Sequence, residues 1–282
     1  MHQYEQAKKI FVEMVKVEPY RLEGFDYFST TLWFLKNQVD LVYYSNHALE
    51  KSLYAPETWV AIGNCYSLQK EHETALKFLS RAIQLNPKFA YAHTLCGHEY
   101  IQNEDFESAK RCYFAAIEAD SRHYAAYWGI GNIYYKQEKF SEAEKYFKLA
   151  AQINQRSPIL FVYLGMTSSA LNKKNDALEY FKRAEMLDEK IGICKYQKAT
   201  VLFSMERFRD ALQVLEQLQK ICPREAAAHI LQGKIQKKLG DKNAALKSFQ
   251  LALELDPKDT NMVKSMIDRI NQDADINEEQ DL

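Results

Sequence analysis

Amides, an imidazole, a carboxylate and aromatic rings recur at spacings of three and four residues in three segments of this chain. They are Glu57, Val60, Asn64 and Ser67; Tyr91, Thr94, His98 and Ile101; and Ala125, Trp128, Asn132 and Tyr135. On a helix such spacings share one face. The residue types fit recognition of a peptide better than bond making: rings take an apolar side chain, and Asn64 and Asn132 donate to backbone carbonyls or a terminal carboxylate. Glu57 is the candidate acid for an arginine, with Glu99 second because its register also allows it to face the next helix. Each has a structural alternative: solvation for the amides, packing within the array for Trp128 and Tyr135. His98 has no second histidine or cysteine at ligand spacing, so no metal is expected, and no cofactor. Lys234, Lys237 and Lys238 form a second patch, suited to an acidic segment of a neighbour or of this chain, or simply to solvent.

The elements that position these residues follow from a repeat of 34. Gly63, Gly97, Gly131, Gly165 and Gly233 are separated by 34 or a multiple of it, and these are five of only nine glycines. Alanine keeps the same interval at Ala75, Ala109, Ala143, Ala177, Ala211 and Ala245, and again at Ala82, Ala116, Ala150, Ala184 and Ala252. Small residues in phase, with bulky ones between, predict two antiparallel helices whose backbones cross closely, stacked on copies of the same pair. The prolines agree, since all six fall at unit boundaries, where none interrupts a helix.

With the glycine at position 8 of each unit, seven repeats span 22–55, 56–89, 90–123, 124–157, 158–191, 192–225 and 226–259. Residues 1–21 fit the second helix of a partial repeat, so the chain is expected to be a fragment or short version of a longer array. Large residues at position 4 (Phe25, Trp59, Tyr127, Phe161), position 11 (Leu32, Tyr66, Tyr100, Tyr134) and position 24 (Leu79, Tyr113, Phe147, Phe181, Leu215, Phe249) form the expected core. The first and sixth repeats are the least regular: Ser29 replaces the glycine in one, and Lys195 and Lys198 take normally apolar positions in the other. Residues 260–271 read as a capping helix through Met262, Val263, Met266, Ile267 and Ile270, and 272–282 as an acidic disordered tail.

Composition bounds the function classes. A formal net charge of -1 provides no global attraction to nucleic acid or anionic membrane, and neither is expected as a partner. No apolar run reaches the roughly 18 residues of a membrane helix. Five cysteines without a metal or disulfide spacing read as small buried hydrophobes, and the expected location is nucleus and cytoplasm. GxSxG, Walker, HExxH and glycine-rich phosphate motifs are all absent, so no enzyme is expected.

Position by position the pattern resembles the tetratricopeptide repeat from the first helix to about Asp259, which implies an all-α, right-handed superhelical solenoid of stacked antiparallel helix pairs. Segments outside the repeat consensus resemble one family more closely: Ser29-Thr30-Thr31-Leu32-Trp33, Gly63-Asn64-Cys65, Gly97-His98-Glu99, Arg122-His123-Tyr124 and the run Ile133 to Phe140. It is the cell division cycle protein twenty-seven family, also called anaphase-promoting complex subunit three. The resemblance covers that family's carboxy-terminal repeats. It implies a noncatalytic scaffold subunit of a mitotic ubiquitin ligase, the anaphase-promoting complex or cyclosome, with its other subunits as partners. It also implies a groove for the carboxy-terminal isoleucine-arginine tails of activator and receptor subunits. The family's amino-terminal repeats, associated with self-pairing, have no counterpart here, which leaves self-pairing open, and Tyr127-Trp128 reverses the family's aromatic order.

Three alternatives share the fold. A sibling repeat subunit of the same ligase differs mainly in groove chemistry. A chaperone adaptor grips an acidic terminus through lysine at position 5 and asparagine at position 9, and here position 5 carries Val60, Thr94 and Trp128. A substrate-reading arm of a glycosyltransferase requires a catalytic domain, and no segment here is long enough to hold one.

Overall fold

Turn chemistry divides the chain at the intervals its glycines mark. The computed structural model describes the backbone of residues 2–255 and 260–280, and side chains of residues 4–255 and 260–270. All regular structure among the described residues is helical. Two compact units result, Met1–Asn154 and Gln155–Leu282. The first holds α1 (His2–Val17) and four helix pairs: α2 and α3 (Phe25–Phe34, Gln38–Lys51), α4 and α5 (Pro56–Leu68, His72–Leu85), α6 and α7 (Ala90–Gln102, Phe106–Ala119), and α8 and α9 (Tyr124–Lys136, Phe140–Ile153). The second holds α10 and α11 (Pro158–Ala170, Lys174–Leu187), α12 and α13 (Gly192–Ser204, Phe208–Ile221), α14 and α15 (Ala226–Lys238, Lys242–Glu254), and α16 (Thr260–Gln280). No helix among the described residues is long and apolar enough to cross a membrane.

Six of the seven first helices begin at position 1 of the 34-residue unit, twice with proline at the first helical position, where its missing N–H leaves no bond unmade. The exception is α2, which starts three residues late. Gly24 precedes it with φ +82°, a left-handed conformation that ends the loop and cannot lie inside a helix. Every turn between paired helices places position 15 at positive φ: Lys36, Lys70, Glu104, Glu138, Asn172, Glu206 and Gly240. The N–H of position 16 then reaches the carbonyl of position 11, as from Asp105 to Tyr100 at 2.9 Å and from Asp241 to Gln236 at 3.0 Å. This bond satisfies the end of one helix while Asn37, Asp105 and Asp241 cap the next through their side chains.

The close crossing predicted between two backbones is instead a ring seated on a backbone. A Cβ at Gly131 would stand 2.7 Å from the Phe147 ring, and one at Gly165 would stand 2.5 Å from Phe181. Glycine leaves room for the position 24 side chain of its own pair, a ring in four repeats and Leu79 in the second, where a Cβ on Gly63 would lie 2.8 Å from it. The sixth repeat sets Ala199 with the smaller Leu215, and the first sets Ser29 with Ser45. These side chains are fully or almost fully buried. Tyr100 and Tyr134, expected as core, are half-buried and pack on its rim.

In α16, Val263 and Ile270 are buried against Ala245 and Phe249, so this helix covers the last pair. It does not stop at Asn271. The backbone stays helical to Gln280, through a stretch without glycine or proline where a disordered tail was expected. Side chains beyond Ile270 and the last two residues lie outside the described residues, as does the repeat boundary near Asp259.

Candidate functional site

In the first unit, side chains of α2 and α6 meet although α4 lies between them in the chain. Tyr27 and Tyr91 pack with ring centroids 5.0 Å apart and their planes tilted by 37°, and the Tyr91 hydroxyl donates to Thr30 Oγ1 at 2.7 Å. Residues two repeats apart touch only where the face carrying them curves inward. Asn64 joins the same oxygen, its amide donating to Thr30 Oγ1 at 3.0 Å and to Ser29 Oγ at 2.9 Å. Ser29 spends its own proton on the Asp26 carbonyl at 2.8 Å, so toward Asn64 it can only accept, which orients the amide. Asn64 is thus buried with both amide hydrogens committed, and only its carbonyl oxygen is left for a ligand. The donor role expected of it is corrected by these two hydroxyls, which the repeat register alone does not bring together.

His98 sits half-buried at the position of Asn64 one repeat along. Its Nδ1 lies 2.7 Å from the Tyr113 hydroxyl, and its ring packs edge-on to Trp128 at 5.9 Å. Burial, reinforced by His123, pushes the imidazole pKa down to about 4, so it is neutral at physiological pH. His123 caps the start of α8 and faces the Tyr91 ring at 6.3 Å; its Nε2 is buried with no hydrogen-bond partner among the described residues. The sequence reading passed over His123 because it lies outside the helix periodicity that selected the other residues.

Three acids near these residues have different fates. Glu99 is consumed internally: Ser67 donates to Oε1 at 2.7 Å, His72 Nδ1 lies 2.7 Å from Oε2, and Trp33 Nε1 donates to Ser67 at 3.1 Å. Its register does face the neighbouring helix. Glu57 is half-buried, with no side-chain hydrogen bond or ion pair among the described residues. Asp26, which sequence reasoning missed, is 3% exposed. Burial raises its pKa to about 6, backbone N–H groups at the helix start pull it down, and the neighbouring Glu57 charge raises it further. An acid at position 5 of the first repeat, on the face already singled out, was the available signal.

The remaining predicted residues divide between groove and packing. Asn132 is half-buried on α8, and its amide makes no side-chain hydrogen bond among the described residues. Thr94 is buried and donates back to the Ala90 carbonyl at 3.0 Å, which leaves it under the surface. Tyr135 is half-buried and edge-on to Phe140 at 5.4 Å. The lysines belong to the second unit: Lys237 and Lys238 are exposed in the last turn of α14, where cations complement the helix dipole, and Lys234 is half-buried one turn earlier. Among the described residues no three metal-ligating side chains converge.

Tetratricopeptide repeat family models match residues 56–89, 97–158 and 196–260. Anaphase-promoting complex subunit 3 of Schizosaccharomyces pombe is 41% identical over 268 residues, 95% of this chain and 40% of that protein. Cell division cycle protein 27 homolog A of Arabidopsis thaliana is 44% identical over 264 residues, 94% of this chain and 37% of that protein. The chain therefore spans well under half the length of these relatives. Among solved structures, the crystal structure of the APC/C hetero-tetramer Cut9-Hcn1 superimposes with a TM-score of 0.80, covering 95% of this chain and 52% of that chain. At 17% identity it speaks to the fold alone. This all-α array of helix pairs belongs to the tetratricopeptide repeat proteins and, among these, to the family of anaphase-promoting complex subunit 3 and cell division cycle protein 27.

Proposed function

We propose that this chain is a noncatalytic scaffold subunit of the anaphase-promoting complex, a ubiquitin ligase of the mitotic cell cycle acting in nucleus and cytoplasm. In this reading the inner face of its first unit receives the carboxy-terminal isoleucine-arginine tails of activator and receptor subunits, and its other partners are subunits of the same ligase. Asp26 carries the tail-binding part. A carboxyl buried to 3% exposure beside a second acid, with neither paired to a cation among the described residues, favours a cationic ligand group, since an incoming guanidinium would relieve their mutual repulsion. Asn132 adds an uncommitted amide, and Tyr27 and Tyr91 an aromatic wall.

The same acids argue against a clamp for acidic termini. Such a clamp needs cations at position 5, where this unit has Asp26, buried Val60 and buried Thr94. A two-residue tail binds weakly alone, so useful affinity rests on further contacts across the assembled ligase.

Fluorescence anisotropy with labelled peptides ending in isoleucine-arginine or isoleucine-aspartate tests the reading. The arginine peptide should bind, and Asp26→Asn and Glu57→Gln should each weaken it by about tenfold, in the range of a lost charge-assisted contact. Equal binding of both peptides, or arginine binding indifferent to both substitutions, rejects the assignment.

A further inference from the structure

At position 24 the chain places Ser45, Leu79, Tyr113, Phe147, Phe181, Leu215 and Phe249. Tyr113 alone carries a hydroxyl on a ring there. It is fully buried, and two glycines make room for it: a Cβ on Gly97 would fall 2.5 Å from the ring, and one on Gly129 would collide with the same ring. Gly97 is the glycine of the repeat, but Gly129 is extra. Position 6 is otherwise Tyr27, Ala61, Leu95, Tyr163, Gln197 and Leu231, and glycine occurs there only in the repeat that follows Tyr113. The gap carries the hydroxyl through to His98 on the inner face, at 2.7 Å from Nδ1.

The direction of that bond follows from its surroundings. Among the described residues the Tyr113 hydroxyl has no other hydrogen-bond partner, and a buried hydroxyl whose proton has no acceptor loses about 1–3 kcal/mol. Donation to Nδ1 satisfies it. A neutral imidazole that accepts at Nδ1 carries its proton at Nε2. Nε2 lies on the opposite edge of the ring and makes no hydrogen bond among the described residues.

Building on the groove reading above, we infer that Tyr113 is a positioning residue that holds His98 as a neutral Nε2–H donor, so that His98 recognises a carbonyl or carboxylate oxygen of the bound tail. Asp26 and Glu57 would then take the cation and His98 an acceptor, two chemistries placed at different ends of one ligand.

Tyr113→Phe is the test, because phenylalanine already fills this position at Phe147, Phe181 and Phe249 and should preserve the fold. Long-range nitrogen–proton spectra of labelled protein, with the His98 signal assigned through His98→Gln, report the tautomer. The wild type should show Nε2–H alone and Tyr113→Phe a mixture. Affinity for a labelled isoleucine-arginine peptide should fall about fivefold in Tyr113→Phe, the effect of one neutral hydrogen bond. His98→Gln, whose amide supplies a donor near Nε2, should retain most of the affinity and should make binding insensitive to Tyr113→Phe. An unchanged tautomer in Tyr113→Phe overturns the inference whatever the binding does. A changed tautomer with unchanged affinity overturns the role in recognition. If the wild type binds no peptide, the groove reading fails, and the tautomer alone decides whether Tyr113 sets the ring. If Tyr113→Phe does not fold, the comparison of His98→Gln with His98→Ala decides the donor: equal loss in both overturns it.

Discussion

Replacing Gly131 by alanine separates two opposing effects with known signs. Alanine is favoured over glycine in a helix interior by about 1 kcal/mol, so a position free of contacts should gain stability. The added methyl, however, would lie 2.7 Å from both Cδ1 and Cε1 of Phe147, a fully buried ring, well inside ordinary contact distance. Overpacking of this kind costs about 1–3 kcal/mol, and two ring atoms at this distance place the cost in the upper part of that range. The net expectation is a loss of about 1–2 kcal/mol. Phe147→Leu alone should lose about 1–1.5 kcal/mol of burial. The double variant reproduces the Ala199 and Leu215 pairing of the sixth repeat, so it should be more stable than either single variant, with a coupling of about 2–3 kcal/mol, the overpacking it relieves. Hydrogen exchange of α8 and α9 amides is the suitable measurement, because stacked repeats open locally and a single unfolding free energy is poorly defined. A stabilised Gly131→Ala, or additive single variants, would refute the view that the small residue serves the ring.

Asp26 leads to a trade of stability against binding. Its carboxyl ionises near pH 4 in the unfolded chain and at about 6 when folded, so the folded state holds the extra proton between those values, and stability falls as pH rises through that window. Asp26→Asn should remove that slope and stabilise the free protein at neutral pH by up to about 3 kcal/mol, seen as a raised urea midpoint, while weakening the arginine peptide. His98 acts in the opposite sense. Its folded pKa of about 4 lies below the ordinary value, so the unfolded chain takes the proton first, and stability is lost as pH falls from about 6.5 towards 4; His98→Gln should flatten this acid limb in pH-dependent melting. Glu138 holds φ +59° at the turn where the last pair uses Gly240, so Glu138→Gly should relieve left-handed strain. A gain of up to about 1 kcal/mol is expected in thermal melting, partly offset by the entropy of the unfolded glycine.

The helix pairs were legible in the sequence because every turn repeats the same local chemistry. A small residue at position 8 and turn residues, polar or glycine, at positions 15 and 16 recur every 34 residues, and local hydrogen bonds close each helix without help from distant parts of the chain. The candidate inner-face residues were legible only in part, since helix spacing picks out Asn64, Tyr91 and His98 but passed over Asp26 and His123. Their roles were not. Asn64 meets Ser29 and Thr30, Tyr91 meets Thr30, and Tyr113 meets His98 through a gap cut by Gly129, a residue of the next repeat. Such contacts depend on how one pair stacks on another, which a period does not encode. Asp26 makes the same point: its composition is that of any first-turn acid, and only the packing around it removes the water and the counter-charge that would have made it ordinary.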